Sequence, residues 1–209
     1  MNCSSLDELP DISNWKTNKV INISKLFMNC SSLNKLPDIS KWKTEEVHNI
    51  SSLFENCSRL KTIPNIFIWD IKNVKNMSSL FANCNSLLSL SEFECKWDTS
   101  NVVDMSRMFS NCSSLQSMIN FSKWDVSSVE NMDGMFSDCK SIKHFPNMIK
   151  WEIKKLKTAN SMFENCSSLE WFPNIGHWKG TDHKFEKNHM FFGCKIIRLD
   201  IPTFFGTNI

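Results

Sequence analysis

Apolar residues recur at fixed offsets along the whole chain. Met105, Met108, Phe109, Cys112 and Leu115 sit at i, i+3, i+4, i+7 and i+10, and so do Ile50, Leu53, Phe54, Cys57 and Leu60. Met77, Leu80, Phe81, Cys84 and Leu87 repeat the series. That spacing predicts one face of a short amphipathic helix. The preceding residue is Asn22, Asn49, Asn76, Asp104, Asn131 or Thr158, each with a side-chain oxygen able to cap an orphan N–H. A lone helix of this length is marginal in water, so packing must hold it.

Next comes S-S-L-x-x-L-P. Pro10, Pro37, Pro64, Pro146 and Pro173 take the same place in five units, where a missing N–H should end a paired strand. A short strand is predicted just before it, as over Ser32–Leu36. The segment I-x-x-W-x-x-x-x-V then reads as a return loop carrying three buried side chains.

The unit repeats. Cysteines at 3, 30, 57, 84, 112, 139, 166 and 194, and tryptophans at 15, 42, 69, 97, 124, 151 and 178, step by 27 or 28 residues. A Phe lies three residues before each cysteine from Phe27 to Phe191. The longer step between Cys84 and Cys112 places an insertion in Ser91–Lys96, which contains Cys95, outside the register. No unit buries its apolar face alone, but stacked units bury a continuous core. The fold predicted is α/β: a right-handed, leucine-rich-repeat-like solenoid of about seven coils, each a short helix, a short strand and a loop. Residues 1–209 form one repeat domain, regular over 1–178 and divergent over 179–209 as a last repeat or cap. The chain opens inside a repeat, as a cut through a longer array would.

The motif itself resembles a known family. VVDMSRMFSNCSSL, VKNMSSLFANCNSL and VENMDGMFSDCKSI resemble the repeats of BspA-like leucine-rich-repeat surface proteins, with WDTSNVVDMSRMFSNCSSL at 97–115 the nearest stretch. This is the bacterial surface protein 26-residue repeat, also called the Mycoplasma lipoprotein-associated repeat. The resemblance implies a solenoid used in adhesion, in binding host or matrix proteins and in surface display. The period here is 27 rather than 26.

Composition narrows the chemistry. A net charge of +2 gives neither a basic nucleic-acid field nor an acidic tail. No apolar run has the roughly 18–20 residues that span a bilayer, and MNCSSLDELP has no signal-peptide pattern. Location is therefore read two ways: surface or secreted by the resemblance, cytoplasmic by the missing signal peptide and the unpaired cysteines. The cysteines lack C-x-x-C spacing and lie beside Phe and Met, so they read as buried, reduced core thiols, with Cys95 the one candidate for an exposed, reactive thiol. His177, His183, His189 and Cys194 are zinc-ligand types, but six-residue spacing does not share a helix face, so they read as scattered and no metal is expected. The N-x-[ST] sequons, at Asn49, Asn76 and elsewhere, arise from the repeat motif and read as accidental. No catalytic fingerprint or cofactor motif is present, so neither enzymatic activity nor a cofactor is expected. The Trp row reads as core rather than a stacking platform.

What varies is the pair between the leucines of L-x-x-L. Lys35, Lys61, Leu88, Gln116, His144 and Trp171 mark a candidate partner-binding face. The function expected is a non-catalytic protein-interaction or adhesion module acting as a monomer on a protein partner, without nucleic acid or membrane insertion. The rivals are a structural spacer of a longer surface protein and a targeting arm for a catalytic domain outside this chain.

Overall fold

The computed structural model describes residues 3–90, 94–180 and 184–195. Within them the repeats stack in register. Parallel β-bridges link Asn22 to Asn49, Asn49 to Asn76, Asn76 to Asp104, Asp104 to Asn131, Asn131 to Thr158 and Thr158 to Glu186. Each step is one repeat, so the chain coils as a solenoid and residues 27 or 28 apart lie above one another.

The predicted helix is not there. Among the described residues the only helical segments are two 3-10 turns, Ile66–Ile68 and Gly176–Gly180. The stretch read as a helix is a run of tight turns. In one coil, Leu53 N–H donates to Ile50 C=O at 3.3 Å, Glu55 to Ser52 at 3.2 Å and Cys57 to Phe54 at 3.0 Å. Ser52 and Asn56 have φ of 55° and 63°. An i→i+3 bond with positive φ at the third residue is the type II turn, which favours Gly or Asn there. The second positive-φ position is Asn29, Asn56, Asn83, Asn111, Asp138, Asn165 and Gly193 in successive coils. A left-handed residue every fourth position breaks a helix but still turns Ile50, Leu53, Phe54 and Cys57 to one side.

The turns leave alternate N–H groups pointing along the solenoid axis. Ile50, Ser52, Phe54 and Asn56 donate to the carbonyls of Asn76, Ser78, Leu80 and Ala82 in the next coil, at 3.1, 2.8, 3.0 and 2.8 Å. The same four bonds recur at each of the six interfaces from Asn22–Asn29 to Glu186–Phe192. An α-helix would spend these donors inside its own turn. Spent between coils, they join hydrogen bonding to stacking.

Among the described residues the predicted strands are likewise reduced to isolated bridges, Ser89 to Ser117 and, just before Pro146 and Pro173, His144 to Trp171. The residues read as helix caps have a related role. Asn49 Oδ1 accepts the Ser51 N–H at 2.9 Å and Asp104 Oδ1 that of Ser106 at 2.9 Å. This i→i+2 bond opens an Asx turn, while the backbone of the same residue forms the bridge.

Side-chain columns fill the interior. Phe27, Phe54, Phe81, Phe109, Phe136, Phe163 and Phe191 stack with centroids 5.2–5.6 Å apart. The tryptophans stack beside them, as Trp124 on Trp151 at 6.4 Å. Indole N–H groups donate one coil back: Trp42 to Ile12 C=O, Trp69 to Ile39 and Trp97 to Ile66, each at 3.0 Å. Trp15 is an exception to the predicted burial: it stacks on Trp42 at 5.8 Å but is 53% exposed, because no described coil covers its other face.

The thiols form a third column. Cys57, Cys84, Cys112, Cys139, Cys166 and Cys194 donate from Sγ to the carbonyl of the preceding coil's phenylalanine, Phe27 through Phe163, at 2.9–3.2 Å. All nine cysteines are free. Burial pushes the Cys57 and Cys112 thiols up to about 12 and Cys30 up to about 11. Two cysteine expectations need correction. Cys3, read as buried, is only half-buried. Cys95, read as exposed and reactive, is half-buried too. Trp124 N–H donates to its sulfur at 3.3 Å, and burial raises its pKa. It replaces the carbonyl that serves Trp42, Trp69, Trp97 and Trp151, a consequence of the shifted register near the insertion.

Candidate interaction face

The L-x-x-L segments position the variable pairs. Their outer residues belong to the core: Leu60 and Ile63, Leu87 and Leu90, Leu115 and Met118, Ile142 and Phe145, Leu169 and Phe172 are all buried. Anchoring both ends forces the two residues between them outward. Lys35, Lys61, Leu88, Gln116, His144 and Trp171 are all exposed, as the sequence predicts.

They form two parallel columns. Lys61, Leu88, Gln116, Lys143 and Glu170 occupy the first position of successive pairs, and Lys35, Ser89, His144 and Trp171 are among those at the second. Backbone bonds tie the columns together: Leu88 N–H donates to Lys61 C=O at 3.4 Å, Gln116 to Leu88 at 2.9 Å and Glu170 to Lys143 at 3.0 Å. The Ser89 and Ser117 hydroxyls share a 2.8 Å hydrogen bond. Lys143 Nζ meets Glu170 Oε1 at 2.7 Å. Their hydrogen bond raises the lysine pKa and lowers that of the carboxylate, while solvent screening leaves such an exposed pair little energetic weight.

Two residues break the polar habit of this face: Leu88 is 47% and Trp171 44% exposed. Other exposed apolar residues lie elsewhere, Ile21, Val103 and Ile149 among them. Sequence reasoning missed these because they occupy positions the repeat leaves variable. A polar groove crosses the turn surface instead, lined by Glu55, Arg107, Asp133, Asn160 and Glu164.

The histidines are dispersed. His177 Nε2 lies 3.0 Å from Trp151 C=O, His189 lies against Phe192, and His183 falls outside the described residues. Most of the predicted cap at 179–209 falls outside them as well, as does part of the insertion. Among the described residues no three His, Cys, Asp or Glu side chains converge as a metal site. No helix there is long and apolar enough to cross a membrane.

Similar solved structures include other repeat proteins. A leucine-rich repeat protein from Bacteroides ovatus is 20% identical with a TM-score of 0.46, over 90% of this chain and 49% of that one. One from Eubacterium ventriosum is 18% identical with a TM-score of 0.46, over 90% and 61%. The chain thus spans about half of the first and three-fifths of the second. No curated protein matches the sequence. The family model described as "Mycoplasma protein of unknown function, DUF285" matches residues 1–96 and 90–204, so this coiled array of turns belongs to the DUF285 family.

Proposed function

We propose that the protein is a non-catalytic interaction module that binds a protein partner, in an adhesive or scaffolding role, through the face carrying Lys35, Lys61, Leu88, Gln116, His144 and Trp171. The observation that carries this reading is the exposure of Leu88 and Trp171 on a face whose framework residues are buried. Neither position is needed for stacking, and large apolar side chains left in water favour association. Trp is a frequent anchor at protein interfaces, where a few residues carry most of the binding energy. The charged residues around them would set orientation and association rate rather than affinity.

The test compares capture of protein partners by the parent and by the Trp171→Ala, Leu88→Ser double variant, both shown to be folded by circular dichroism. Loss of a specific partner in the double variant supports the face. Equal capture by both assigns binding to another surface, and capture of nothing favours a spacer.

A further inference from the structure

The thiol column is not uniform along its length. Among the described residues, Cys57, Cys84, Cys112 and Cys139 each donate to a carbonyl and bond no second thiol. Cys166 and Cys194 donate to the carbonyls of Phe136 and Phe163 but also lie within hydrogen-bonding reach of each other. Their interface is the tightest of the series. Phe163 and Phe191 stack at 5.2 Å, against 5.4–5.6 Å for the other pairs of that column. Cys194 Sγ lies 2.9 Å from its carbonyl, against 3.1–3.2 Å for the others. Gly193 stands where the other coils carry Asn or Asp, and a Cβ there would strike Asn165 Oδ1 and lie 3.4 Å from Asn165 Cα. The missing side chain lets these two coils close.

We infer that Cys166 and Cys194 are a redox-active pair, joined into a disulfide between coils by a small oxidant of the hydroperoxide class. Asn165 N–H donates to Phe192 C=O at 2.7 Å, so the two cysteines flank a direct backbone contact. Chains bonded in that way lie about 4.7–4.9 Å apart, inside the roughly 4.4–6.8 Å between Cα atoms that a disulfide spans. The bridge would orphan no acceptor. Phe136 C=O and Phe163 C=O also accept the N–H groups of Cys139 and Cys166, at 3.3 and 3.2 Å.

The two sulfurs divide the chemistry. Facing a Cys194 thiolate, the Cys166 S–H donates to it, which holds Cys194 below the ordinary thiol value against the opposing effect of burial. The same bond, with burial, drives Cys166 well above that value. Thiolate is the nucleophile, so Cys194 attacks first, and at 5% exposure it admits only a small oxidant. With hydrogen peroxide, its sulfur takes one oxygen as sulfenic acid and the other leaves as water. The Cys166 sulfur then attacks the Cys194 sulfur. The S–S bond forms, the S–O bond breaks, and the Cys166 proton departs with the hydroxyl as a second water. Two thiols lose two electrons, and the peroxide gains them.

The test treats the folded full chain with hydrogen peroxide, blocks the remaining thiols after denaturation and maps the peptides by mass. The expected product is a Cys166–Cys194 cross-link with Cys84 and Cys112 still free. Its melting temperature should exceed that of the reduced chain, because a closed loop restricts the unfolded state, and dithiothreitol should reverse the gain. In Cys166→Ser, a sulfenic acid trappable by dimedone should accumulate on Cys194; in Cys194→Ser, Cys166 should stay unmodified. Cys3 also lies within reach of Cys30, so a cross-link confined to that pair overturns the proposal. Oxidation of Cys3 and Cys95 with Cys166 and Cys194 left reduced overturns it too, as does over-oxidation of Cys194 without a bridge. Mapping of the parent chain decides the matter even if a serine variant fails to fold. The readout is independent of partner capture through the Leu88 and Trp171 face.

Discussion

Asn165 Nδ2 reaches Asp138 Oδ1 across 3.3 Å, the long rung in a column of side-chain amides. The other rungs are shorter: Asn56 donates to Asn29 at 2.6 Å, Asn83 to Asn56 at 2.8 Å and Asn111 to Asn83 at 2.9 Å. Each amide donates one coil back and accepts from one coil ahead. Asp138 cannot donate, so the Asn111 Oδ1 above it accepts no hydrogen bond among the described residues.

Asp138→Asn should therefore complete the column. Its φ of 58° suits asparagine. One net hydrogen bond is worth about 0.5–1.5 kcal/mol, against a surface pair with Lys140 at 3.2 Å that is worth about 0–1 kcal/mol. A rise in melting temperature of roughly 2–4 °C is expected. A fall would show that the Lys140 pair outweighs the amide column.

The other left-handed position offers a complementary test. Ser161 holds φ 55°, where an L-residue costs roughly 1–2 kcal/mol. Ser161→Gly relieves that strain and gives back part of it, roughly 0.4–1 kcal/mol, through the freer unfolded chain. Gly134→Ala reverses the change at the equivalent residue, where a Cβ would lie 3.3 Å from Ser137 Oγ. Denaturant midpoints should move up for the first variant and down for the second.

Core position should decide the cost of removing an aromatic ring. Phe109 is fully buried between Phe81 at 5.4 Å and Phe136 at 5.6 Å. Phe109→Ala should cost about 3–5 kcal/mol. Trp15→Ala, at a ring already 53% exposed, should cost much less. Equal losses on chemical denaturation would mean that Trp15 is covered in solution.

The thiol column makes the fold sensitive to alkali. Cys57 and Cys112 ionise near 12 when folded, against 9.0 ordinarily. Raised folded values favour the native state fully below pH 9, and this contribution is lost as pH climbs toward 12. At pH 10 the loss is about 1 kcal/mol for each such thiol. Melting temperature should be flat from pH 6 to 8 and fall steeply above 9. Native alkylation near neutral pH should begin at Cys3 and Cys95 and leave Cys57 and Cys112 unmodified; early labelling of either would contradict their burial.

Much of this architecture was legible in the residues. Cys57, Phe54 and Trp69 recur at one period because each lies directly against its counterpart in the next coil, so interior contact writes itself into the chain as repetition. Lys35, Gln116 and Trp171 vary because nothing in the stack constrains them. The local conformation was less legible. Offsets such as Ile50, Leu53, Phe54 and Cys57 suit a helix, and also a run of type II turns. The recurring Asn56 and its counterparts were the available sign of left-handed backbone, obscured by their place inside an apparent helical face.

The sequence by itself determined a stacked array with buried Phe, Trp and Cys columns and an outward variable pair in each coil, because periodic side-chain burial needs only spacing to be seen. Only the tertiary structure decided where the backbone hydrogen bonds go. Ser52 N–H bonds Ser78 C=O in the next coil rather than an atom of its own turn. That choice depends on a neighbour 26 residues away, and it replaces helices with turns.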